Sequence, residues 1–98
     1  MGSVWDDFEP DMRYTIGDFT VTFDKRVLED LRRADPNGKH LKAIQRGRVR
    51  SRGQAGLVPS ELRGYAFKTK VLGKGGAMRI HACILDDGTL YFRRITRH

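Results

Sequence analysis

A chain of 98 residues with a formal net charge of +7 and one cysteine, Cys83, has room for a single domain around one modest core. The lone cysteine excludes an intrachain disulfide and fits a reducing compartment, and no apolar run approaches the roughly 20 residues of a membrane span. The charge is uneven: residues 1–24 carry six acids against one base, and residues 25–98 carry eighteen bases against six acids. So basic a folding unit favours nucleic acid or an acidic protein as its partner.

Met1-Gly2-Ser3 is followed by acids, not by the basic start and apolar run of a signal peptide. These three residues read as an expression scar, and the expected site of action is the cytoplasm. Residues 1–13 are acidic, contain Pro10 and lack periodicity, so they read as a tail or edge segment, with the domain proper over 14–98. Phe19-Thr20-Val21-Thr22-Phe23 alternates strictly, as a half-buried strand does. Asp24 stands where a helix N-cap belongs. Val27, Leu28, Leu31 and Ala34 follow at helical spacing until Asp35-Pro36-Asn37-Gly38 stops the run. A second helix is expected from about Lys39 to Arg46, with Leu41 and Ile44 inward and Gly47 as its C-cap.

Arg48 to Ser60 is polar and glycine-bearing, and reads as a long loop. Tyr65 to Leu72 alternates again, with Tyr65, Phe67 and Val71 on one face and Lys68 and Lys70 on the other. After Gly73-Lys74-Gly75-Gly76, two strands, Met78 to Leu85 and Thr89 to Thr96, flank the Asp-Gly step of Asp86-Asp87-Gly88, a strong hairpin signal. The order is strand, helix, helix, then three strands. That pattern predicts an α+β fold with two helices on one face of a twisted, mostly antiparallel four-stranded sheet. The other face is expected to be basic.

The cations carry the functional argument. Lys68 and Lys70 share one face of their strand, and Arg79 and His81 share one face of the next; in an antiparallel sheet the four converge into one patch able to grip a phosphodiester. Arg46, Arg48, Arg50 and Arg52 recur at every second position. In extended form they project to one side as a sequence-independent phosphate track; the alternative is a solvated basic loop. Arg93, Arg94, Arg97 and His98 crowd the last strand. Arginine is seldom buried unpaired, so this sheet end suits a polyanion. The hairpin register decides what joins Arg79: a two-residue turn at Asp87-Gly88 brings His98 to its face, and a three-residue turn including Asp86 brings Arg97.

The imidazoles differ. His40 sits beside apolar helix residues and reads as packing or surface; His81 and His98 are the candidates for proton transfer. No His and Cys stand at metal-ligand spacing, and Gly73-Lys74-Gly75-Gly76 is no P-loop, so neither metal nor cofactor is expected. The carboxylates are too scattered for a paired acid/base site, with Glu61 the one kept as a candidate to reach a cleft.

These stretches resemble the RelE/ParE toxin superfamily, ribonuclease and gyrase-poison domains of bacterial toxin–antitoxin systems, within the wider barnase/EndoU/colicin/RelE-like group. Leu62-Arg63-Gly64 leading into Phe67-Lys68-Thr69-Lys70 resembles the family's Leu-x-Gly and its Lys-x-Lys strand. Met78-Arg79-Ile80-His81 resembles its aromatic-Arg-Leu/Ile-x-Tyr strand, and Ile84-Leu85-Asp86-Asp87-Gly88 to Arg97-His98 its Asp-Asp turn and terminal strand. The likeness follows element order over 19–98 and is close over 62–98; the acidic N-terminal extension and the missing C-terminal tyrosine depart from it. The resemblance implies that Lys68, Lys70, Arg79 and either Arg97 or His98 contact a scissile phosphate, with His98 as acid/base. It implies a metal-independent endoribonuclease acting on free or ribosome-bound RNA (mRNA or tRNA) through its 2′-hydroxyl. A cognate antitoxin or immunity protein, an acidic segment over the cleft, is the implied protein partner, and the domain fits release from a larger secreted toxin. Two rivals stand beside this reading: a ParE-like inhibitor of DNA gyrase, and a non-enzymatic binder of nucleic acid or acidic protein.

Overall fold

The alternation at 19–23 and the helical spacing after Asp24 both become elements in the computed structural model, which describes residues 2–51, 67–69 and 78–97. Strands β1 (Tyr14–Ile16) and β2 (Phe19–Phe23) precede helices α1 (Lys25–Ala34) and α2 (Lys39–Gln45). Strands β3 (Val49–Ser51), β4 (Phe67–Thr69), β5 (Met78–Ile84) and β6 (Leu90–Arg97) follow. All six join one sheet in the order β1-β2-β6-β5-β4-β3. The pairing of β2 with β6 is parallel, and the other neighbours are antiparallel. The class is therefore α+β, with two helices on a mixed sheet. Its four inner strands are those expected from the sequence, and β1 and β3 are short additions at the edges. Among the described residues no helix is long and apolar enough to cross a membrane.

Local chemistry explains the element ends. The Asp24 side chain accepts the Arg26 N–H and caps α1. At the end of α2, Gly47 takes a φ of 72°, its N–H reaches the Ile44 carbonyl, and the Arg48 N–H reaches the Ala43 carbonyl. That is the paired bonding of a Schellman close, which a glycine at this position makes accessible. It also corrects the reading of Arg46 to Arg52 as one extended track. Arg46 is the C-cap of α2 and Gly47 is left-handed, so strand geometry begins only at Val49. The loop expected from Arg48 to Ser60 likewise contains β3 at its start, because Val49 has core to pack against. Arg52 and Glu61 lie outside the described residues.

The core occupies the helix side of the sheet. Val27, Leu28, Leu31 and Ile44 from the helices meet Val21, Phe23, Ile80, Ala82, Leu90 and Phe92 from the strands. Phe23 and Phe92, register partners across the parallel pair, stack with ring centroids 5.4 Å apart. The N-terminal segment is part of this core, which overturns the expectation of a tail over 1–13. Val4–Asp7 forms a 3₁₀ turn whose capping box links Ser3 and Asp6, and Trp5 within it is fully buried. Trp5 packs on Phe8 and edge-on against Phe23, while its indole N–H donates to the Asp35 carbonyl at 3.0 Å. A net-acidic stretch without periodicity hid one anchor side chain large enough to order the whole segment.

Asp35 joins three pieces of chain. It ends α1, and its carboxylate accepts the backbone N–H groups of Lys39 and His40 at 2.8 and 3.0 Å. Gly38, the N-cap of α2, has no side chain to offer, so Asp35 satisfies the orphan donors instead. His40 is buried beside it. Its Nδ1 lies 2.7 Å from the Thr69 hydroxyl on β4, and its Nε2 has no hydrogen-bond partner among the described residues. Burial holds the imidazole below its usual range, against the upward pull of the Asp35 carboxylate.

Trp5→Ala is expected to destabilise the domain by about 3–5 kcal/mol in chemical denaturation, the cost of a large core truncation, where a detached tail would give less than about 0.5. Because the folded-state pKa of His40 is depressed, the unfolded chain binds more protons, so its contribution is present above about pH 6.5 and lost as pH falls through the folded value. Denaturation midpoints measured from pH 8 to pH 5 should fall less in His40→Gln than in the parent.

Candidate nucleic-acid interface

Strand alternation sends Met78, Ile80 and Ala82 of β5 to the core and leaves Arg79, His81 and Cys83 on the side away from the helices. Register carries this face across the sheet. Lys68 of β4 pairs with His81, Arg50 of β3 pairs with Lys68, and Arg94 of β6 pairs with His81 from the other side. Arg50, Lys68, His81 and Arg94 thus occupy one register line across four strands, in which His81 and Arg94 lie on the side of β5 and β6 away from the helices. Arg79 stands one step along β5, opposite Thr96.

An irregularity in β6 makes this row. From the turn, Ile84 pairs with Leu90 and Ala82 with Phe92, but His81 pairs with Arg94, leaving Arg93 as an extra residue. Phe92 and Ile95 both pack on the core although they are three positions apart, a spacing that regular alternation would split between the faces. The bulge absorbs the surplus residue and lets both reach the core, at the price of two adjacent exposed arginines, Arg93 and Arg94.

The same bulge settles the register question. Leu85 and Thr89 bracket a three-residue turn, Asp86-Asp87-Gly88, closed by the Gly88 N–H to the Leu85 carbonyl, with Gly88 at a φ of 85°. That turn alone would bring Arg97 to the Arg79 side. Instead the bulge reverses the parity beyond Arg93, and Arg97 takes the register position opposite Met78, a core residue. The expectation of Arg97 beside Arg79 is thereby corrected. His98 and Lys70 lie outside the described residues.

The side chains on this face differ in access. Arg79 is half-buried, Arg93 and Arg94 are exposed, and none of the three has an acidic partner among the described residues. His81 is only 1% exposed, and its Nε2 lies 2.7 Å from the Thr96 hydroxyl. Thr96 was not a sequence candidate; the broken alternation between Phe92 and Ile95 was the signal that could have placed it. Arg46 and Arg48 are exposed at the end of α2, next to the β3 edge. Towards β2 the face changes character. Arg13 pairs with Asp87 at 3.1 Å and touches Thr89, and the Tyr91 hydroxyl donates to Asp11 at 2.9 Å. Burial and the Asp11 bond push the Tyr91 phenol up to about 12.

A depression of about 500 Å³ opens at the hairpin end, between Asp18, Phe19, Ile84 and Asp87. It contains two acids and none of the cationic candidates, so it does not suit an anion. Among the described residues no group of three or more His, Cys, Asp or Glu is arranged to hold a metal ion. Comparison with protein-family models, curated proteins and solved structures gives no match.

Deleting Arg93 is expected to leave the fold intact, because Arg94–His81 and Ile95–Ile80 pairing would persist in an unbulged ladder. Far-UV circular dichroism and a cooperative denaturation curve near that of the parent would be the result. Collapse of cooperativity would mean that the surplus residue is not absorbed at this bulge.

Proposed function

We propose that this domain is a RelE-like endoribonuclease that holds RNA on the helix-free face of its sheet. The observation that carries the reading is the alignment of Arg50, Lys68, His81 and Arg94 across four strands, with Arg79 alongside. An α+β sheet whose chain runs through two strands, two helices and four further strands, with the helices packed on one side, is compatible with it.

The chemistry follows from what a phosphodiester demands. The RNA's 2′-oxygen attacks the adjacent phosphorus in line with the departing 5′-oxygen, giving a 2′,3′-cyclic phosphate and a 5′-hydroxyl. One proton leaves the 2′-hydroxyl and one is delivered to the leaving oxygen. The crowded phosphorus gains negative charge at the transition state, and fixed cationic donors aimed at it lower the barrier most. Arg79, Lys68 and Lys70 fill that role in this reading, with Arg94 and Arg50 holding flanking phosphates. His98 is the proton carrier. His81, buried and bonded to Thr96, serves as a positioning residue between Lys68 and Arg94 instead of touching substrate. The natural partners are RNA, free or on the ribosome, and an acidic antitoxin or immunity protein that covers the same face. The burial of His81 also favours a second reading, a domain that binds nucleic acid on this face without cutting it.

End-labelled RNA, free and on mRNA-programmed ribosomes, distinguishes the readings when incubated with the purified chain in the presence of a chelator. Cleavage leaving 2′,3′-cyclic phosphate ends is expected, with Arg79→Ala slower by roughly 10²-fold while RNA binding persists. Unchanged cleavage in that variant would remove Arg79 from the mechanism. Salt-sensitive binding with no cleavage of either substrate would establish the non-enzymatic reading, and inhibition of gyrase supercoiling in a parallel assay would favour the ParE-like one.

A further inference from the structure

Next to the cationic row stands an aromatic side chain that the proposed chemistry does not use. Tyr91 of β6 pairs with Cys83, and so lies on the face of Arg79 and His81 rather than with its core neighbours Leu90 and Phe92. Its ring is half-buried and held at both ends, by the strand at Cα and by the hydroxyl bond to Asp11. The Arg93 guanidinium carbon lies over the ring, 5.3 Å from its centroid, as the two-residue spacing along the strand allows. Exposed Arg94 follows immediately.

We infer that Tyr91 and Arg93 form a stacking platform for one unpaired base of single-stranded RNA, whose adjoining phosphate is taken by Arg94. The inference rests on the nucleic-acid reading above and adds to it the place of a base. Charge sets the orientation. Asp11 at the phenol hydroxyl repels a phosphate and Arg94 attracts one, so the uncharged base belongs on the flat surface made by the ring and the Arg93 guanidinium that lies over it, with the backbone toward Arg94. The phenol itself remains neutral near physiological pH and adds no repulsion. Aromatic and guanidinium planes are the surfaces on which unstacked bases settle in single-strand sites, whereas a duplex keeps its bases stacked on each other and offers this platform nothing. The basic stretch from Arg46 to Arg52 lacks any aromatic residue, so among the described residues of this face Tyr91 supplies the ring.

The experiment measures equilibrium binding of a short fluorescent 2′-O-methyl oligoribonucleotide, which cannot be cleaved by 2′-hydroxyl attack, by fluorescence anisotropy. Single abasic positions are scanned along it. In the parent chain one abasic position is expected to weaken binding roughly 5- to 150-fold, the loss of one stacked base. Tyr91→Leu, which keeps strand propensity and apolar bulk, should bind the intact oligonucleotide with that same loss and be indifferent to the abasic position. Tyr91→Phe should stay within about twofold of the parent, since the ring remains and only the Asp11 bond is lost. The slope of affinity against salt should be unchanged in Tyr91→Leu and fall by about 1 in Arg94→Ala. Parent-like binding by Tyr91→Leu, or an abasic penalty that persists in it, would overturn the platform while leaving the nucleic-acid reading in place. Equal weakening in Tyr91→Phe and Tyr91→Leu would show that the residue merely anchors Asp11. Absence of any RNA binding by the parent would remove both.

Discussion

One constraint organises the described residues: the core lies on the helix side of the sheet. The central strands deliver their large apolar side chains to the helices, and β6, which cannot do so by simple alternation, takes up a bulge. In β6 the requirement that Phe92 and Ile95 both reach the core forces an extra residue into the ladder. The polar side chains displaced by that adjustment are Arg93 and Arg94, and the residue moved into the row with Arg79 is Thr96. The charge pattern on the far side is thus a by-product of packing on the near side. Burying an arginine without a partner would cost far more than one lost ladder bond.

The second organising feature is Asp35. A buried carboxylate is tolerated where several donors converge on it, and here the backbone of α2 and the Trp5 indole do so. The 3₁₀ turn, the end of α1 and the start of α2 thereby become one cluster, which holds the acidic N-terminal residues against the body of the domain. From there the chain runs on to place Asp11 at Tyr91 and Arg13 at Asp87. The acidic and basic parts of the sequence, distinct in composition, meet along the β2–β6 side of the sheet.

The sequence made some of this legible because the underlying physics is local. Alternation at 19–23, the Asp24 cap, the helical spacing to Ala34 and the Asp86-Asp87-Gly88 turn each depend on a few neighbouring residues, and each is found where it was expected. What escaped depends on distant partners. Trp5 looks like part of a polar tail until Asp35 and Phe23 are beside it. Tyr14–Ile16 is too short to announce itself and exists as a strand because it pairs with β2. The sequence leaves two turn lengths open at the hairpin; the three-residue one is present, but a single surplus residue five positions beyond Gly88 undoes its effect on Arg97. Lys68, His81 and Arg94 could be nominated from sequence; that they are direct cross-strand neighbours could not.

The strand that joins the two halves of the sheet, β6, follows the other described strands in chain order. Until Leu90 to Arg97 is in place, the β1–β2 hairpin and the β3–β4–β5 ladder share no hydrogen-bonded border, and each presents a raw edge. Joining residues near 21 to residues near 90 demands closure of a loop that is most of the polypeptide, so assembly is expected to be late and concerted, not stepwise from the amino end. A nascent chain that has not yet released Leu90 to Arg97 would therefore carry two unjoined halves, and the surface that spans them would come into being only when that strand docks.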